Sequence, residues 1–158
     1  MGIYLGRREK HFRQVFLFFC LGSALSACGG SSSNTAADLA AIKSGWANFF
    51  SGSTSAKEKI SLLQNGNQFS QIINLALQQP IEKTASATVS KVVLDGSSKA
   101  TVTYTLNLSG KPVLQDQTGT AVKVNGKWQV GDSSFCGLLS LEGQSTPACS
   151  NGTSSASG

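Results

Sequence analysis

Histidine and charge are what this sequence has least of. Its 158 residues include one histidine, His11, and only 13% are charged. Four of the 13 basic residues (Arg7, Arg8, Lys10, Arg13) and one of the eight acids (Glu9) stand ahead of Cys28, leaving nine basic and seven acidic side chains after it. That remainder is close to balanced and holds no basic block, which excludes the usual electrostatic footprint of a nucleic-acid partner. Beyond Cys28 no histidine is left. A serine nucleophile there would have no imidazole base, and no G-x-S-x-G elbow occurs. Without histidine or a C-x-x-C pair there is no ligand set for zinc. The expectation is a chain with no metal, no cofactor and no catalytic residue, hence not an enzyme. No apolar run reaches the roughly 20 residues that a membrane-spanning helix needs.

What is present starts with an export signal. Residues 1–13 are basic, and Val15-Phe16-Leu17-Phe18-Phe19-Cys20-Leu21 opens an apolar run that ends near Leu25. Small residues close it, as in a cleavable leader. Arg7-Arg8 hints at twin-arginine export, but Glu9 and Lys10 favour the general secretory route. Leu25-Ser26-Ala27-Cys28 reads as a lipobox. It predicts cleavage before Cys28, a lipid on its thiol, and anchoring on the extracytoplasmic face of the cell membrane. The expected division is a lipoprotein signal peptide over 1–27, a flexible tether over 28–34, a single domain over 35–149 and a disordered tail over 150–158. Shedding or secretion of part of the protein is compatible with this layout.

Within the domain the hydrophobic period changes once. Leu39, Ile42, Trp46, Phe49 and Phe50 form one stripe of an amphipathic helix, with Thr35 as its expected N-cap. Ser55 and Glu58 have capping-box spacing, opening a second helix through Gln64. Phe69, Ile72, Ile73, Ala76 and Leu77 mark a third, closed by Pro80. After Pro80 the period falls to two. Ala85, Ala87 and Val89 are out of phase with Val92 and Leu94, which predicts a bulge near Ser90-Lys91. Val102, Tyr104, Leu106 and Leu108 alternate with polar residues, the mark of an antiparallel sheet with one dry face. A weaker strand surrounds Val113. In the last hairpin, Asn125-Gly126 invites a two-residue turn. The hydrophobic pattern instead prefers a three-residue loop with Val122 opposite Trp128 and Lys123 opposite Lys127. Phe135, Cys136, Leu138, Leu139 and Leu141 are expected to continue as a terminal strand or close-packed segment.

Several pieces occur in a fixed order: Phe49-Phe50-Ser51-Gly52-Ser53-Thr54, Lys59-Ile60-Ser61-Leu62-Leu63-Gln64-Asn65-Gly66, Ala87-Thr88-Val89, Ala100-Thr101-Val102-Thr103-Tyr104, Gly119-Thr120-Ala121-Val122, Trp128-Gln129-Val130 and Phe135-Cys136. This ordered set resembles the mycobacterial low-molecular-weight secreted antigen family, over about Asp38 to Cys149. The resemblance implies an NTF2-like, cystatin-like α+β fold, with N-terminal helices packed on a curved antiparallel sheet. It carries over no catalytic residues. The lipobox departs from it, because it implies retention rather than release.

The remaining candidates are few. Once Cys28 is acylated, Cys136 and Cys149 are the two thiols left, and outside the cytoplasm such a pair is expected to be a disulfide. The acids fall mostly at helix starts or turns, where a solvated or capping role is the default, and Asp132, just after the Trp128 strand, is the least improbable buried one. Trp46, Phe50, Tyr104 and Trp128 either fill the core or form the wall of a pocket in the helix–sheet cone. Three functions follow: an envelope interaction module and exposed antigen, a carrier of a small apolar ligand, or an enzyme. An empty cavity above roughly 300 Å³ would favour the carrier. A buried acid paired with a donor would favour the enzyme, and a cone filled by its own rings the module.

Overall fold

The computed structural model describes residues 30–151, with side chains for 34–150. The expected leader, Cys28 and the end of the tail lie outside these residues. The described residues form helix α1 (Gly30–Phe50), helix α2 (Ala56–Leu62), a 3-10 turn (Gly66–Phe69), helix α3 (Ser70–Ala76), a second 3-10 turn (Pro80–Thr84), strands β1 (Ala85–Asp95), β2 (Lys99–Leu108), β3 (Lys111–Val124) and β4 (Lys127–Val130), and helices α4 (Asp132–Leu141) and α5 (Pro147–Asn151). The strands make one antiparallel sheet in the order β1-β2-β3-β4. The architecture is α+β, with the N-terminal helices laid on one face of the sheet.

The core follows from the two periods. On α1, Ile42, Trp46 and Phe49 are buried. From β2, Ala100, Val102 and Tyr104 rise to meet them. Gly119 of β3 lies under Trp46, where a Cβ would stand 2.7 Å from the ring's Cζ2. Phe50 stacks on Tyr104 at 5.5 Å between ring centroids, and Phe135 makes edge contacts with both Phe49 and Phe69. The cap of α2 is as expected, with Ser55 Oγ accepting from the Glu58 N–H at 3.3 Å. The bulge of β1 falls between Val89 and Lys91.

Five expectations need correcting. First, α1 starts at Gly30, inside the segment expected to be a tether, and Thr35 lies within the helix rather than capping it. Extending a packed helix backward is cheap, because the costly step is nucleation. Second, the third helix is split: a 3-10 turn precedes α3, and Pro80 opens a further 3-10 turn instead of only closing a helix. Third, the strand near Val113 continues to Val124.

Fourth, the last hairpin takes the two-residue turn. Val122 pairs with Gln129 and Lys123 with Trp128. Asn125 and Gly126 both have positive φ, 50° and 78°, as a type I′ turn requires. The hydrophobic pattern does not set this register because Lys123 is amphipathic. Its ammonium lies 5.3 Å from the Trp128 ring centroid and 2.8 Å from Asp38 Oδ1. The Trp128 indole N–H donates to the same oxygen at 2.8 Å. One carboxylate on α1 thus makes a lysine acceptable on the dry face.

Fifth, residues 132–141 are a helix, not a strand. Phe135, Leu138 and Leu139 have the i, i+3, i+4 spacing that buries one helical stripe.

The bond from Lys123 and then that from Trp128 hold the Asp38 carboxyl below its ordinary value of 3.8. A carboxylate with a depressed folded-state pKa stabilises above its unfolded value, and that contribution fades as pH falls through the folded value. Asp38→Asn should therefore lower the melting temperature at neutral pH. The gap to the unsubstituted chain should narrow below about pH 4, as read by thermal unfolding across a pH series.

Candidate functional site

The helix–sheet interior is closed. Its seam, between Ile42, Trp46, Ala121, Trp128 and Val130, has no space for a water-sized sphere. Trp46 and Tyr104 are 1% and 2% exposed, with ring centroids 5.2 Å apart. Of the four residues considered as pocket wall, Trp46 and Trp128 are buried in the core and Phe50 is half-buried against it. Tyr104 also lines an open cavity outside that seam. Burial raises its phenol pKa to about 12.

That cavity is an open groove of about 390 Å³ between β3 and α4. It exists because β4 is short. β4 pairs with β3 only over residues 121–124. At Gly131 the chain leaves the sheet and α4 begins. The first turn of α4 closes the next stretch of the β3 edge: the Gly131 N–H donates to Thr120 O at 2.7 Å, and the Thr120 N–H donates to Ser134 Oγ at 2.7 Å. Beyond Thr120 the helix diverges and the groove opens. Its strand side runs along residues 117–120 of β3 and takes in Thr101 and Tyr104 of β2, and its helix side carries Ser133, Ser134, Gly137, Leu138 and Leu141. No charged side chain is among the described residues that line it.

The direction of the main chain here follows from one bond. Lys123 N–H donates to Ser98 O at 2.7 Å, on the β2 side. Alternation then turns the odd-numbered residues of this stretch toward β2 and the even-numbered ones outward. Of the outward residues, Val122 meets β4 and Thr120 meets α4. The N–H and C=O of Thr118, next in line, point into the groove. Asp116, with φ 51°, lies at an irregularity within β3 on the far side, between the Tyr104–Gln117 and Leu106–Leu114 pairs.

Asp132 is half-buried in the first turn of α4, where its Oδ2 accepts from Asn65 Nδ2 at 2.7 Å and its Oδ1 from Ser133 N–H at 2.7 Å. The bond from Asn65 ties α4 to the chain before α3, and that from Ser133 fixes the carboxylate on its own turn, a positioning role. Cys136 and Cys149 are joined, with Cα atoms 5.5 Å apart, so the expected disulfide links α4 to α5.

One buried charge was not anticipated. Lys59 is 7% exposed, and its Nζ donates to Phe49 O in the last turn of α1, with the Phe49 ring centroid 5.7 Å away. A cation here satisfies a carbonyl that the helix end leaves unpaired. Burial lowers the Lys59 pKa, opposed by the charge of Glu82. Burial raises that of Glu82, with Glu142 adding to it and Lys59 opposing. The only signal in the sequence was that Lys59 falls three and four residues before Leu62 and Leu63, on the apolar side of α2. Among the described residues no group of three or more His, Cys, Asp or Glu could hold a metal ion, and no helix is long and apolar enough to cross a membrane.

Helices on one face of a four-stranded antiparallel meander, a filled interior and a neutral groove at the sheet edge define a small α+β domain. Residues 35–146 match the family model of the low molecular weight antigen MTB12, C-terminal domain. The chain belongs to that family. Among solved structures, a domain of unknown function with a cystatin-like fold from Nostoc punctiforme is 15% identical, with a TM-score of 0.39, covering 78% of this chain and 94% of its own. No curated protein matches the chain.

Gly137 sits in the middle of α4, where a Cβ would meet nothing within 4 Å. Glycine at such a site costs about 0.8–1 kcal/mol relative to alanine. Gly137→Ala should raise unfolding stability by about that amount in urea titration. Replacing Cys136 and Cys149 by serine should lower it by about 3 kcal/mol in the chain-entropy picture.

Proposed function

We propose that this chain is a cell-envelope lipoprotein whose α+β domain is a non-catalytic interaction module, exposed as an antigen and held at the membrane by the lipid on Cys28. The observation that carries the reading is the filled interior: Trp46, Phe49, Phe50 and Tyr104 occupy the volume where a carrier would hold its ligand. Membership of the antigen family is consistent with an exposed domain. The groove supports binding over chemistry, since its lining is hydroxyls, an amide, glycines and leucines. At about 390 Å³ it has the size expected of a carrier site, but it is open and mixed in polarity rather than an enclosed apolar cavity, which weighs against the apolar carrier.

Two measurements test this. The Cys28→Ala chain should leave the membrane fraction; persistence there would remove the anchor from the proposal. Native mass spectrometry of the chain isolated from its host should show the bare polypeptide mass plus its lipid modification. A reproducible additional lipid-sized mass would overturn the module reading in favour of the carrier.

A further inference from the structure

We infer that the β3–α4 groove accepts an extended, uncharged peptide segment of a partner protein, which adds to the sheet as a short strand beside Thr118. This rests on the reading of the domain as an interaction module and names the surface it uses. Three features of the groove carry it. Among the described residues, the sheet position beside residues 117–119 is vacant, because β4 pairs no further than Ala121 and α4 seals the edge only as far as Thr120. The outward main chain of Thr118 offers one donor and one acceptor, the pair that an added strand engages. The groove has no charged lining, so a neutral segment matches it and a charged one would lose hydration without a counter-charge.

Gly137 adds support that does not depend on the strand edge. The helix carries a destabilising glycine where packing does not require one. What the missing side chain does provide is room, because Gly137 lines the groove. Leu141, which lines the same groove, is 65% exposed, the most exposed of the large apolar side chains described. A strand laid on Thr118 would cover it. Local costs of this kind concentrate where a surface is used.

The contact is small. Two main-chain bonds and one covered leucine make a weak site, suited to a longer partner that also engages elsewhere or to repeated presentation on a membrane. The irregularity of β3 at Asp116 limits the added strand at one end and the first turn of α4 at the other, so the groove takes a few residues rather than a full strand.

The test uses the full chain isolated in mild detergent, labelled with 15N. The probe is the dye-labelled peptide acetyl-Ser-Val-Thr-Val-Ser-amide. Binding is followed by anisotropy and by the Thr118 amide signal. The expected result is saturable binding with the Thr118 amide among the largest shifts. Methylating the central peptide nitrogen should weaken binding about five- to tenfold, as loss of one hydrogen bond does. Gly137→Arg fills the groove without a clash at its Cβ, and should abolish binding while leaving the melting temperature unchanged or raised. No binding at millimolar peptide, equal binding by the methylated peptide, or retention by the Gly137→Arg chain would each overturn the proposal. Displacement of the peptide by maltose would overturn it too, assigning the groove to a neutral sugar. None of these results bears on the module reading itself, which the mass measurement decides.

Discussion

The approach of Trp46 to Gly119 sets the rest of the domain. An indole can lie on a strand at that distance only where the strand has no side chain, since a Cβ would come within 2.7 Å of Cζ2. Trp46 reaches down to β2 and β3 from a helix whose backbone runs closest to β1 and β4, and Phe49, Phe50 and Tyr104 close around it. It also decides where a ligand cannot go. With the rings packed at that depth, the concave side of the sheet is given over to stability, and the groove opens at the sheet edge instead. The indole N–H of Trp46 has no hydrogen-bond partner among the described residues. Leaving such a donor buried costs of order 1–3 kcal/mol, and burial of its two rings offsets that here.

The parts legible in the sequence are those set by local repetition. The stripe on α1, the cap at Ser55, the bulge in β1 and the alternation of β2 each involve residues within a few positions of one another. The hairpin register was not legible, because Lys123 is made acceptable by Asp38, 85 positions earlier. No pattern along β3 or β4 reveals that carboxylate. Helix α4 was missed for a different reason. Its apolar residues have helical spacing, but a single short turn of pattern after a strand reads equally as more strand. Lys59 looked like one more surface charge because its partner, a main-chain carbonyl, has no signature.

The groove could not have been read from residue types at all. Its existence depends on β4 being four residues long while β3 is 14, and on how soon the chain turns into α4. Of the pocket-wall candidates named in the sequence, only Tyr104 reaches it. The other residues that define it are glycine, serine, threonine, leucine and one glutamine, which carry no chemical signal until the topology sets them side by side.

What makes such a groove usable is that its helix wall cannot drift. On one side α4 is held by Phe135, whose ring stands edge-on to both Phe49 and Phe69 at 5.5 Å and 5.3 Å. Its start is held by the Asp132–Asn65 bond and by the two bonds to Thr120. Its middle is tied through Cys136 to α5. These restraints act at different points along the helix, and none occupies the side that Gly137 and Leu141 present to the groove. A ligand entering between two walls already fixed does not have to order them. The disulfide fastens the C-terminal α5 to the middle of α4, while the spacing of α4 from the β3 edge is set by the bonds of Gly131 and Ser134 to Thr120.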